Sequence, residues 1–176
     1  MMETDKLSPT SLAFIALTNE YCQLVENCLD QQREQLVESL LKLLPRIYIT
    51  ALDIEPSLEF FDAVICQALD EPSYDAVKNN IAAVMGEEDV YLEVFLDDMK
   101  YSDTPIATSI SENLADLYQV FYNLIASLRD LNTEEQRQIL DECKGQFGEY
   151  WGQTLCNVMR ALHSLNTSNN QYFDQY

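Results

Sequence analysis

His163 is the chain's only histidine, and so the one side chain whose ordinary titration falls near neutral pH. Being alone, it removes every two-histidine metal site. Arg160 stands three positions before it, so the Glu-x-x-His pattern of di-iron bundles is also missing. General-base chemistry at His163 would need a carboxylate such as Asp103 or Asp116 brought close to it. A nucleophile would have to come from a cysteine such as Cys156, since no Gly-x-Ser-x-Gly elbow occurs. Near the end of a helical pattern, a lone histidine is more simply explained by packing and by the favourable helix dipole.

Other chemical readings are weaker. Counted as a calcium loop from Asp97, the acidic stretch puts Tyr101 and Asp103 at the fifth and seventh positions. Ser102 then stands where glycine makes the turn, and Thr108 where the bidentate glutamate belongs. Three of the four glycines fall inside a helical pattern, leaving no phosphate-binding loop. Cys22, Cys28, Cys66, Cys143 and Cys156 are odd in number, lack C-x-x-C spacing and sit in apolar patterns, so they read as reduced core residues of a cytoplasmic protein. The expectation is no catalytic residue, no metal and no cofactor.

Charge says more than motif. Thirty acidic and ten basic side chains give a net charge of −20 over 176 residues, which repels phosphate backbones and anionic membranes. Direct nucleic-acid and membrane partners are therefore not expected, and no apolar run approaches a membrane span or a signal peptide. With 47% hydrophobic residues, 4 Gly and 5 Pro, the chain is expected to fold as a single domain over 1–176.

The elements that would position these groups are helical. Ser8-Pro9 opens a helix whose apolar residues Phe14, Leu17, Tyr21, Leu24 and Cys28 keep one face to about Leu29. A central helix begins at about Gln32, with Pro45 expected to kink or break it at a cost of about 3 kcal/mol. Residues 53–69 read as a short helix or an irregular crossing. Asp70-Glu-Pro72 and Gly86 bound the next helix. Val90–Phe95 is too short for periodicity to decide, and 96–108 reads as a loop.

Ser109-Ile-Ser-Glu112 is a capping box ahead of the cleanest stripe, Ile110, Leu114, Leu117, Phe121, Leu124 and Leu128. Thr133-Glu-Glu-Gln136 opens a long helix to about Leu165, with a frayed polar tail over 166–176. That helix carries a bulky stripe through Phe147, Trp151, Leu155 and Leu162. Beside it runs a small one, Gly145, Gly148, Gly152, Cys156 and Met159, ending at His163. Each helical glycine costs about 1 kcal/mol against alanine, which points to a neighbouring backbone in close approach, with space for a ligand between helices as the alternative. The sum is an all-α, single-domain bundle of about five to seven helices with a long C-terminal helix.

Two segments, Asp98 to Gln119 and Phe147 through Tyr150-Trp-Gly-Gln153 to Arg160-Ala-Leu-His163, resemble domain of unknown function 5063, a bacterial all-helical family. The Leu-Leu-Pro and Tyr48 pattern and the Tyr74 to Met85 helix extend the likeness over most of the chain. The resemblance implies a helical fold and a hot region at the Tyr101 to Tyr118 segment beside Trp151 and His163. It implies no substrate and no cofactor.

The functional expectation is a protein-binding or adaptor module whose acidic, tyrosine-bearing surface meets another protein, a basic one being what its charge would steer toward it. Tyr101, Asp103, Asp116 and Tyr118 are the expected contacts, with Trp151 and His163 in support. Two alternatives stand beside it: an acidic inhibitor or immunity-type protein masking a basic cleft, and a small-ligand binder or enzyme using His163 with a nearby carboxylate. The oligomeric state stays open.

Overall fold

Helix starts fall where residue chemistry sets them. In the computed structural model, which describes residues 6–57, 63–93 and 106–173, Ser8 accepts the Ser11 N–H and Pro9 begins α1 (Pro9–Glu26). A 3-10 turn, Cys28–Asp30, leads to α2 (Arg33–Leu52). Asp70 accepts the Ser73 N–H to open α3 (Glu71–Met85), and Gly86 closes it at φ +62°, a conformation glycine adopts without strain.

The break expected at Pro45 does not occur, because α2 runs through it to Leu52. Leu40, Leu43, Leu44, Ile47 and Ala51, on both sides of the proline, are buried against neighbouring helices. At about 1.5–3 kcal/mol per fully buried large aliphatic, that packing outweighs the roughly 3 kcal/mol proline penalty.

Residues 63–69 form no helix; their chain is pinned to α4 (Ile110–Ser127) by side chains. Asn123 Oδ1 accepts the N–H groups of Ala68 and Leu69, both at 2.9 Å, and Ser127 Oγ accepts that of Cys66 at 2.8 Å. An irregular segment keeps its backbone donors satisfied this way.

After α3, Val90–Glu93 (β1) pairs antiparallel with Ile106–Ser109 (β2), Leu92 opposite Ala107. The structure thus settles residues 90–93 of the short apolar run as a strand. Pairing also takes in residues 106–108, where a loop is expected from sequence. Asn113 donates to the Tyr91 hydroxyl and Asn157 to Glu93, fastening one face of this ribbon to the helices. Ser109 caps α4 by accepting the Glu112 N–H, while the Asp89 carboxylate takes both the N–H and the hydroxyl of Ser111.

The expected long C-terminal helix is α5 (Thr133–Gln146) and α6 (Gly152–Phe173) joined through a π-helical turn, Phe147–Trp151. The helix continues to Phe173, so the polar stretch expected to fray is helical through most of its length. α1 packs on α2 and α4, α2 on α6, and α6 on α4, closing a ring of four helices with α3 outside against α4. At its centre Trp151 is fully buried, stacked on Phe14 at 6.2 Å and edge-on to Phe121 and Phe147 at 5.2 and 4.6 Å.

The π turn explains one glycine and corrects the reading of the stripe. Gly152 N–H bonds the Phe147 carbonyl five residues back, and a Cβ on Gly152 would lie 2.5 Å from that oxygen and 2.9 Å from the Phe147 ring. The close approach is therefore the helix's own turn rather than a neighbouring helix. At Gly145 and Gly148 a Cβ would meet nothing within 4 Å. Cys66 and Cys156 are exposed, so only Cys22, Cys28 and Cys143 are the buried thiols expected of all five.

Urea unfolding tests these contacts. Gly148→Ala is expected to stabilise the chain by about 0.5–1 kcal/mol, as alanine does in an unobstructed helix. Gly152→Ala is expected to destabilise it by about 1–3 kcal/mol through forced displacement of the π turn. Asn123→Ala leaves two backbone donors unpaired and is expected to cost about 2 kcal/mol or more, with faster proteolysis within 63–69.

Candidate functional site

One carboxylate gathers polar side chains from three elements. Asp116, in the second turn of α4, accepts the Tyr74 hydroxyl of α3 on Oδ1 at 2.7 Å and the Tyr150 hydroxyl of the π turn on Oδ2 at 3.4 Å. Glu112 lies one turn earlier on the same face of α4 and is exposed. Lys78 Nζ sits 5.5 Å from the Tyr74 ring centroid and 3.4 Å from Asp75. Asp116 is half-buried, whereas Tyr150 is 52% exposed, so the node opens to solvent on the Tyr150 side.

The phenols answer to the charge they touch. Burial, with the hydrogen bond to Asp116 next, holds Tyr74 well above the usual tyrosine range; Glu112 and Tyr150 add to the effect. Tyr150 is raised by burial and then by Asp116, against a hydrogen bond with Thr154 that lowers it. Each phenol stays protonated and donating.

Of the residues singled out from sequence, Asp116 belongs to this node. Tyr118 does not: it is buried, and its hydroxyl donates to Glu26 at 2.8 Å across the bundle. Residues two apart on a helix point to opposite sides, so Asp116 and Tyr118 cannot share a surface. Trp151 follows Tyr150 in the chain but is buried in the core, its indole N–H donating to the Cys143 carbonyl at 3.0 Å. Tyr101, Asp103 and the acidic loop around them lie outside the described residues. The partner missed from sequence is Tyr74, whose spacing marks it only as part of the apolar face of α3; Ser-Tyr-Asp at a helix start offers no sign that its hydroxyl would reach α4.

His163 is exposed and lines an open cleft of about 560 Å³ between α2 and α6, with Leu41, Pro45, Cys156, Met159, Arg160 and Asn166. It is thus on the surface rather than packed. Among the described residues no carboxylate is within ion-pair distance of it, and Asp116 is engaged by the two phenols. Nor do the described residues include three or more His, Cys, Asp or Glu side chains grouped to hold a metal ion. Burial raises the Cys22 and Cys143 thiols to about 12, and Cys156 is raised as well, which removes thiolate character at neutral pH.

The family model for a domain of unknown function, DUF5063, matches residues 5–168. This chain belongs to the DUF5063 family. A crystal structure of a Bacteroides fragilis protein, solved as a structural genomics target, is similar to it at 30% identity and a TM-score of 0.77, over 90% of this chain and 92% of that one. Among curated proteins none matches. In this DUF5063 chain no helix among the described residues is long and apolar enough to cross a membrane.

Tyr21, Tyr74, Tyr91 and Tyr118 are all raised above the ordinary tyrosine value of 10.0, with burial first among the causes. Phenols harder to ionise folded than unfolded stabilise the fold fully below about pH 10, and the contribution is lost as pH climbs through the folded-state values. Tyrosinate absorbance of the native chain is expected to rise at higher pH than that of the urea-unfolded chain. The urea midpoint is expected to fall from about pH 10 upward.

Proposed function

We propose that the chain is a protein-binding module that engages a basic partner through the Tyr74–Asp116–Tyr150 node and the acidic surface around it. The observation that carries this reading is the half-buried Asp116 carboxylate, oriented by two phenols and flanked by the half-exposed Tyr150 ring. A carboxylate fixed by neighbouring donors needs little reordering when a cation arrives, and an exposed tyrosine supplies rigid contact area of the kind enriched at interfaces.

The net charge of −20 supplies the long-range part. It draws a basic partner in, speeds encounter at low ionic strength and turns anionic partners away. Masking a basic cleft on that partner is one way such a surface would act. A reducing cytoplasm suits the five free cysteines and is the compartment we assign.

Affinity capture compares the native chain with a Glu112→Gln, Asp116→Asn, Tyr150→Ala variant. At low salt the native chain is expected to retain at least one basic protein that the variant captures at least tenfold less, with retention lost at high salt. Equal capture by the two chains would overturn the proposal.

A further inference from the structure

The two oxygens of Asp116 are not equally occupied. Among the described residues, Oδ1 holds a short bond from Tyr74 at 2.7 Å, while Oδ2 has only the 3.4 Å contact from Tyr150, whose hydroxyl is also bonded by Thr154. Oδ2 is therefore the acceptor with capacity to spare. Glu112 presents a second, exposed carboxylate one helical turn away, and the Tyr150 ring stands exposed beside the pair. Two acceptors about 5–6 Å apart at their Cβ atoms, next to an aromatic face, match a planar cation with several N–H groups better than a compact one.

A cation already visits this node from within the chain: Lys78 lies over the opposite partner, the Tyr74 ring, at 5.5 Å. Its ammonium is shared with Asp75 and sits on the α3 side, so the Tyr150 side is left to a cation from outside.

From this geometry we infer that the node reads an arginine side chain of the partner rather than a lysine. The inference rests on the binding role proposed above and gives it a chemistry. One guanidinium N–H bonds Asp116 Oδ2, a second reaches the Glu112 carboxylate, and the guanidinium plane lies on the Tyr150 ring. A lysine ammonium can bond both carboxylates through its three N–H groups, but it has no flat face to lay on the ring at the same time.

The probes are two capped tripeptides, acetyl-Gly-Arg-Gly-amide and its lysine counterpart, titrated at low ionic strength against the full chain with NMR shifts at Glu112, Asp116 and Tyr150 as readout. The arginine peptide is expected to give saturable shifts there with at least fivefold higher affinity than the lysine peptide. Asp116→Asn, which keeps an oxygen for Tyr74, is expected to lower arginine affinity at least tenfold. Tyr150→Phe retains most of the affinity and Tyr150→Ala loses it, while Glu55→Gln, an exposed acid after α2, changes nothing. Equal affinities at the node for the two peptides would overturn the arginine inference and leave the basic-partner reading standing. Absence of saturable shifts at the node with either peptide would overturn both.

Discussion

The burial of Trp151 inside a π-helical turn is the constraint on which the rest of the architecture depends. Its ring touches Phe14 of α1, Phe121 of α4 and Phe147 of its own turn, so one side chain ties together three of the four helices in the ring. A π turn carries an extra residue without ending the helix, which changes the angular phase between the segments before and after it. Here that phase change lets Ile139, Leu140 and Cys143 of α5 and Leu155, Val158 and Leu162 of α6 all bury, while Tyr150, next to Trp151, is turned outward. The indole N–H closes the arrangement on the Cys143 carbonyl. The same turn that fills the core therefore delivers Tyr150 to Asp116.

That coupling distinguishes the node from the general acidity of the chain. Most of the basic side chains that the structure pairs are committed to the fold: Arg137 to Glu134 and the Lys6 carbonyl, Lys42 to Glu38, and Lys144 to the Leu52 and Ile54 carbonyls. Exposed pairs of this sort contribute little to stability, and they leave the large acidic excess facing water. Among the described residues most of those acids are exposed, solvated charges. Asp116 differs because two phenols fix its orientation and a rigid turn fixes one of the phenols.

Most helix caps and buried stripes are legible in the sequence because they rest on local chemistry: Ser8, Asp70 and Ser109 cap where their types and spacing place them, and the six-residue stripe of α4 is buried throughout, whereas the box expected from Thr133 to Gln136 forms one residue earlier, between Asn132 and Glu135. The family likeness is legible as well, from the segments around Tyr101 to Tyr118 and Trp151 to His163. The features that sequence misplaces need information from another element. Pro45 stays in a helix because of residues on α1 and α6, and residues 106–109 become a strand because residues 90–93 are there to pair with. Gly148 and Gly152 look alike in sequence, yet one faces open space and the other its own carbonyl across the π turn. Proximity along the chain groups Asp116 with Tyr118, but the 3.6-residue period sends them to opposite sides. Tyr74 and Tyr150 come to Asp116 from 42 and 34 residues away, a distance no local pattern spans.

The acids gathered at the start of α4 have two competing explanations, and position separates them. A carboxylate in the first turn of a helix is stabilised by the positive end of the dipole by about 0.3–1 kcal/mol, an effect that falls off within that turn. Glu112 is in the first turn and Asp89 accepts directly from Ser111, so helix stability accounts for both without any partner. Asp116 is a turn further on, beyond the reach of that effect. It accepts the Tyr74 hydroxyl, and a neutral amide oxygen at the same place would still accept that hydrogen bond, though more weakly. The fold thus requires an acceptor at position 116 but not a charge. The charge is the part of the residue that packing leaves unexplained, and that part faces the exposed ring of Tyr150.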